Sequence, residues 1–390
     1  MERDDSIYRQ LQRYLDRLPA GFPEAESGLD IRLLQRLFTP REAKLAVQLS
    51  MKPEPLEHIY HRVRRKGISL EELRELLDEM AHKGTVLVSE EGYPEKRYSN
   101  AAFSVGGIYN YQVDRLTKDL INEYWQYQSE SRSKARPGTK APGKARRYKT
   151  VPLRTIPVEK SIPLPEKPQV GNYDDVRKLI GDARDRIAVA NCICRQSADI
   201  LGKPCSKTHL RETCLIIGPD HAKRHVEMGI GRYVTKEEAL VILDKAQQAG
   251  LVLQPENSQR PEAICCCCGD CCVLLRQLAK ASRPADLYAT NYYVEVTPEL
   301  CNGCEACVQT CQLDARVMVD GVSIVDLNRC IGCGICVTAC AAGANRLRKK
   351  TEELPLPKDK EEYYMTLLSK RIGKRKMFVL KTKMLLGLKV

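Results

Sequence analysis

The sequence predicts a multi-domain α+β protein, and three observations predict it. At 390 residues the chain is too long for one ordinary core, since single domains run to ~100–200 residues. Its 18 cysteines are segregated, with none before position 192 and none after 340. Apolar residues recur at three- and four-residue spacing through the front of the chain, whereas short strand-like runs precede the cysteine clumps. The expected order is a helical front domain with flanking helices (1–128), a basic, proline-rich linker (129–170) and a cysteine-rich domain (171–290). A duplicated cysteine module (291–349) and a basic tail (350–390) follow.

Composition narrows the class before any motif is read. An apolar fraction of 43% supports packed cores and excludes wholesale disorder. The formal charge of +13 permits an anionic partner without naming one. Eighteen cysteines in this length fall well below the density of a disulfide scaffold, and the adjacent Cys265, Cys266, Cys267 and Cys268 pair poorly with one another. Metal ligation is the first expectation. The opening MERDDSIYRQLQRYLDRL lacks the apolar core of a secretion signal, and no apolar run approaches the ~18–20 residues that span a bilayer. A cytoplasmic protein is expected, where thiols stay reduced and available to metals.

In the front domain LDIRLLQRLF, REAKLAVQLS and LEHIYHRVRR carry helical periodicity, and Ser69 with Glu72 forms a capping box ahead of a helix that Gly84 stops. TVLVSEEGYPEKRYSNAAF reads as two short strands about a Gly-Tyr-Pro turn. This order resembles a winged-helix domain over residues 29–103, followed by a helix rich in Tyr109, Tyr111, Tyr124, Trp125 and Tyr127. Those aromatics suit an internal core and a homodimer seam equally. DNA is disfavoured as a partner: from Ser69 to Lys83 the helix before the wing holds Glu71, Glu72, Glu75, Asp78 and Glu79 against Arg74 and Lys83, and phosphates repel such a face. Protein docking fits better. His58 and His61, with no cysteine nearby, read as surface residues.

Residues 129–150 carry eight Lys/Arg against the single Glu130, and VPLRTIPVEKSIPLPEKP after them should run extended over a neighbouring surface. The tail, with Lys374, Arg375, Lys376, Lys381 and Lys383, reads first as a solvated terminal helix and second as a dock for an acidic or membrane surface.

CNGCEACVQTC at 301–311 and CIGCGICVTAC at 330–340 both spell C-x2-C-x2-C-x3-C, offset by 29 residues at all four cysteines. The region 291–349 resembles a bacterial-type two-cluster ferredoxin. The resemblance implies two 4Fe-4S clusters, one on Cys301, Cys304, Cys307 and Cys340, the other on Cys330, Cys333, Cys336 and Cys311. YYVEV and SIVDL are the expected strands, with the Asp320-Gly321 turn between them, and Gly303, Gly332 and Gly334 suit loops that approach cluster sulfurs closely. The proline that the family places after the fourth cysteine is replaced by Gln312 and Ala341.

Ten cysteines remain. Cys192, Cys194, Cys205, Cys214, Cys265, Cys267, Cys268, Cys271 and Cys272 are the expected metal ligands, and Cys266 is extra. Thiolates at this density repel unless a metal neutralises them, and iron-sulfur is preferred over zinc because the chain already carries cubane motifs. NCICR, RETCLIIG, the helix VTKEEALVILDKAQQAGLV and the final cysteine clump together resemble a group of iron-sulfur proteins of anaerobic microbes, over roughly residues 185–349. That resemblance implies cluster binding and redox partnership without naming a reaction. Asp270 reads as a turn residue rather than an oxygen ligand, His221 and His225 lack the HExxH glutamate, and His209 is a weak candidate. No P-loop, dinucleotide fingerprint or Ser-His-Asp pattern appears.

The function that follows is electron transfer: single electrons pass through two 4Fe-4S clusters to or from a partner oxidoreductase, with further clusters in the central domain. The alternatives are a redox-responsive winged-helix regulator and a catalytic iron-sulfur subunit with an open iron site. No catalytic residue is assigned.

Overall fold

The computed structural model describes residues 5–103, 107–133, 151–162, 174–183, 186–353 and 355–385. The basic stretch 134–150 and the proline-spaced stretch 163–173 of the expected linker lie outside the described residues. Two compact units form, one from Met1–Lys140, Lys223–Ile230 and Tyr364–Val390, the other from Ala141–Ala222 and Gly231–Tyr363.

The first unit begins with α1 (Asp5–Arg17), whose Ile7, Tyr8, Leu11 and Leu15 are buried on one face. α2 (Leu29–Leu37) and α3 (Pro40–Ala46) follow, the latter closed by a Thr39–Glu42 capping box and ending earlier than its periodicity suggests. After the two-residue strand β1 (Glu54–Pro55) come α4 (Leu56–Val63) and α5 (Leu70–His82). The expected capping box is present: Glu72 N donates to Ser69 Oγ at 3.2 Å, and Ser69 N donates to Glu72 Oε2 at 2.9 Å. β2 (Val86–Ser89) and β3 (Arg97–Asn100) complete an antiparallel sheet of order β1-β3-β2.

α6 (Lys118–Ser133) brings Tyr124 flat against Tyr109, with ring centroids 3.6 Å apart. Phe22, Phe103 and Tyr127 pack beside them, so the buried tyrosines are used inside this unit. The helical run Lys360–Leu385 breaks at Gly373. Its Leu368 and Met377 are buried, and Arg371 donates to Asp16 Oδ1 at 3.0 Å and to the carbonyl of Leu18. The tail forms the expected terminal helix, most of its described positions exposed or half-buried, and these contacts anchor one side of it.

The second unit opens with residues 151–158, extended along a sheet edge as expected, followed by a 3-10 turn at Glu159–Ser161. Arg154 N donates to the Pro255 carbonyl at 3.0 Å, Ile156 N to Leu253 at 3.2 Å, and Val158 N to Cys333 at 3.0 Å. Arg154 also forms a buried 2.7 Å pair with Asp174, which accepts from Asn291 at 2.9 Å. After α7 (Val176–Gly181) the chain builds a five-stranded antiparallel sheet. Its strands are β4 (Ile187–Asn191), β5 (Glu212–Ile216), β6 (Arg232–Val234), β7 (Val252–Pro255) and β8 (Ala263–Cys267), in the order β6-β4-β5-β8-β7. Helices α8 (Ile193–Ile200), α9 (Pro219–Glu227), α10 (Lys236–Gln248) and α11 (Val273–Ala279) connect the strands or follow them.

The duplicated module holds β9 (Tyr292–Val296), β10 (Arg316–Val319), β11 (Val322–Val325) and β12 (Asn345–Lys349), with α12 (Ala306–Gln309) and α13 (Ile335–Thr338). Both expected strands and the Asp320-Gly321 turn form, and two strands beyond those expected pair with them. Asp320 and Gly321 join β10 to β11, while β9 pairs with β12 from Tyr292↔Lys349 to Val296↔Asn345. Each ribbon thus spans one repeat boundary, and RVMV and NRLRK supply the strands that the cysteine spacing did not mark.

Candidate metal centres

The two cysteine repeats surround two separate cavities. One is lined by Cys301, Cys304, Cys307 and Cys340, the other by Cys311, Cys330, Cys333 and Cys336. Three thiols of each set come from one short loop and the fourth from the other repeat, because α12 and α13 carry Cys311 and Cys340 away from their own loops. Backbone N–H groups aim at sulfur: Ser323 N donates to Cys301 Sγ at 3.4 Å and Ala315 N to Cys311 Sγ at 3.2 Å. Cys304 alone of the eight is exposed.

Charge is placed between the two cavities. Arg316 is 4% exposed and lines the second cavity, and Nη2 of its guanidinium donates to Asn345 Oδ1. Burial raises the Cys307 thiol, but Ser323 and Arg316 outweigh it and bring it below its ordinary value. Burial pushes Cys336 up to about 12, with Arg316 opposing. Nε and Nη1 of Arg316 find no hydrogen-bond partner among the described residues. Two unmet donors beside thiols suit an anionic sulfur-rich group.

In the central sheet, strand alternation separates the clump that the sequence presents as one run. Cys265 and Cys267 share a face of β8, and Cys266 lies on the other, 1% exposed within the apolar core. Register sets Cys214 of β5 opposite Cys265. Cys192 and Cys194 stand at the start of α8, and Cys272 is the N-cap of α11.

These six sulfurs form one continuous chain of interacting thiols: Cys192 with Cys194, Cys194 with Cys272, Cys267 with both Cys272 and Cys265, and Cys214 with Cys265. Neighbouring thiols draw Cys265 and Cys272 below the ordinary thiol value, Cys272 to about 5. Neighbouring thiols and burial hold Cys192, Cys194, Cys214 and Cys267 above it. Two thiols drawn toward thiolate among four held protonated make a crowded, buried sulfur set that a soft metal or cluster would neutralise.

The remaining three cysteines stand apart from that chain. Cys205, in the loop after α8, lies 3.6 Å from Cys268 Sγ and 3.5 Å from Asp270 Oδ1. With Cys271 these donor atoms all fall within 4.8 Å of one another. Asp270 does follow Gly269 in a turn, as its sequence context suggests, but its carboxylate faces the thiols.

Sequence reasoning missed Arg195, which is fully buried on α8. Its guanidinium donates to Thr213 Oγ1 at 2.6 Å and to the Cys266 carbonyl at 2.9 Å. Burial works against its charge, but Cys192, Cys268 and Cys267 hold it protonated. The available signal is the arginine closing NCICR. The histidines stay away from sulfur: His58, His61 and His209 are exposed, and His221 faces Glu262 at 3.9 Å. His225 packs against Tyr111, 5.4 Å between rings.

Residues 300–352 match the family described as 4Fe-4S dicluster domain, so the chain carries a ferredoxin-type iron-sulfur domain near its carboxy-terminal end. An uncharacterized ferredoxin of Methanocaldococcus jannaschii is 35% identical over 96 residues, 24% of this chain and 54% of that protein. A tetrathionate reductase subunit of Archaeoglobus fulgidus is 40% identical over 60 residues, 15% of this chain and 29% of that protein. An iron-sulfur subunit of the Hdr-like menaquinol oxidoreductase of the same organism is 46% identical over 57 residues, 14% of this chain and 20% of that protein. The chain spans about half the length of the first relative and under a third of the other two. No solved structure matches the chain. Among the described residues no helix is long and apolar enough to cross a membrane.

Proposed function

We propose that the chain is an electron-transfer protein that passes single electrons through two 4Fe-4S clusters to or from a partner oxidoreductase. The observation that carries this reading is the pair of cavities, each lined by four cysteines in the crossed three-plus-one grouping. Cys301, Cys304, Cys307 and Cys340 would hold one cluster, and Cys311, Cys330, Cys333 and Cys336 the other. Such clusters supply reversible one-electron oxidation and reduction.

The protein's own residues do the rest. Backbone N–H groups at Ser323 and Ala315 stabilise sulfur charge, and Arg316 puts a buried cation beside Cys307 and Cys336. The six-sulfur chain from Cys192 to Cys272 would hold a further iron-sulfur centre. Similarity to subunits of two named oxidoreductases supports a partner of that class.

The helices and three-stranded sheet of the first unit follow the order of a winged helix, α4 and α5 preceding the β2-β3 hairpin. We assign it to protein docking, because α5 exposes Glu71, Glu72 and Glu75. A cytoplasmic location fits a function that needs reduced thiols.

The test is iron, acid-labile sulfide and redox titration on full-length protein purified without oxygen. The reading requires about eight irons attributable to the repeats, lost in halves by Cys304→Ser and Cys333→Ser, and one-electron signals on reduction. Iron unaffected by both variants would remove it.

A further inference from the structure

The separation of Cys205, Cys268 and Cys271 from the six-sulfur chain has a geometric meaning. Tetrahedral bonds of about 2.3 Å to sulfur and about 2.0 Å to oxygen put two sulfurs ~3.8 Å apart and a sulfur and an oxygen ~3.5 Å apart. Cys205 Sγ lies 3.6 Å from Cys268 Sγ and 3.5 Å from Asp270 Oδ1. In a cubane each thiolate binds a different iron, so the sulfurs stand further apart by the separation of the irons. Among the described residues, this is the one set of three or more such donors all within 4.8 Å of one another.

The carboxylate is divided as a ligand should be. Oδ2 of Asp270 accepts from Ser206 N at 2.8 Å and from Ser206 Oγ at 3.1 Å, which fixes the group and turns Oδ1 toward Cys205. All three cysteines are buried. Four protein donors complete a tetrahedral shell with no position left for substrate, the mark of a structural site.

We propose that Cys205, Cys268, Cys271 and Oδ1 of Asp270 bind one tetrahedral zinc(II) ion, separate from the iron-sulfur clusters. The ion ties the loop after α8 to the turn that follows β8, so the loop carrying Cys205 closes over the end of the sheet. The proposal rests on the reading that the central cysteines are metallated, and it takes three of the nine expected iron-sulfur ligands out of that set.

The experiment measures zinc and iron per chain in full-length protein purified without oxygen, as wild type and as Cys205→Ser. Cys205 lies in a loop, and circular dichroism confirms that the variant is folded. The proposal expects about one zinc per chain, lost in Cys205→Ser with iron unchanged. Loss of iron instead of zinc, or no change in either metal, overturns it. A second arm replaces zinc by cobalt(II) and compares wild type with Asp270→Asn, a half-exposed position that tolerates the change. Tetrahedral cobalt-thiolate absorption that shifts in the variant supports the carboxylate ligand, and identical spectra reject it. Since the ferredoxin iron is counted in the same samples, failure of the electron-transfer reading and failure of the zinc site give different results.

Discussion

Gly269 donates its backbone N–H to Oε1 of Gln312 at 2.7 Å, and Nε2 of the same glutamine donates to the Gly250 carbonyl at 3.0 Å. Gln312 stands where two-cluster ferredoxins place a proline after the fourth cysteine. The departure thus has a structural reason: the side chain joins the ferredoxin repeat to the turn between Cys268 and Cys271. A Cβ on Gly269 would meet the Gln312 carbonyl at 2.5 Å, so the contact also needs the glycine.

Gln312→Pro, although it restores the family pattern, is expected to destabilise the second unit. It leaves the Gly269 N–H without its acceptor, at a cost of ~1–3 kcal/mol. Guanidinium denaturation followed by cluster absorbance should show a lower midpoint for the variant. An unchanged or higher midpoint would mean that the bridge contributes nothing.

Gly334 is the second close approach. Its φ is +77°, and an added Cβ would sit 2.1 Å from Ser161 Oγ, in the 3-10 turn just after Val158, whose N–H bonds the Cys333 carbonyl. Gly334→Ala is expected to cost ~1–3 kcal/mol and to deplete iron from the Cys330, Cys333, Cys336 and Cys311 site. Adding Ser161→Gly removes the clash but not the backbone strain, so it should recover only part of the loss. Iron analysis of the single and double variants checks both statements; full recovery would show that φ is irrelevant.

What the sequence made legible follows from how local each signal is. The ferredoxin spacing lies within two loops and is legible at once, whereas the crossing of Cys311 and Cys340 to the other repeat's loop came only from the resemblance to two-cluster ferredoxins. The Ser69–Glu72 capping box is equally local. The central cysteines depended on the register that sets Cys214 against Cys265 and on the alternation that turns Cys266 inward. Neither is visible in ICCCCGDCC itself. Asp270 reads as a turn residue because its partners, Cys205 and Ser206, lie more than 60 positions away. The two-residue strand β1 is too short for any periodicity, and only β3 defines it.

Tyr14 gives the first unit a titration of its own. Its hydroxyl donates to the Leu49 carbonyl, and burial lifts its pKa from 10.0 to about 12. A raised folded-state value means that the unfolded chain ionises first. The stabilisation is therefore complete below pH 10 and is lost as pH rises toward 12. Two pH units at ~1.4 kcal/mol each make this ~3 kcal/mol. The difference in unfolding free energy between wild type and Tyr14→Phe should narrow or reverse across that window. A difference independent of pH from 9 to 12 would show that Tyr14 is solvated.

Arg316 should set the potentials of the ferredoxin sites. It is buried beside both Cys307 and Cys336, and each electron added to a cluster there gains attraction to the guanidinium. Arg316→Met keeps the length and removes the charge, so reduction becomes harder. A unit charge at an effective dielectric near 20 and a separation of ~7 Å is worth ~2 kcal/mol, or on the order of 100 mV for one electron. The expected result is a shift of both potentials to more negative values with iron content unchanged. Because Arg316 also donates to Asn345, Asn345→Ala is the structural control, and it should move the potentials much less. Equal shifts in the two variants would assign the effect to packing and not to charge.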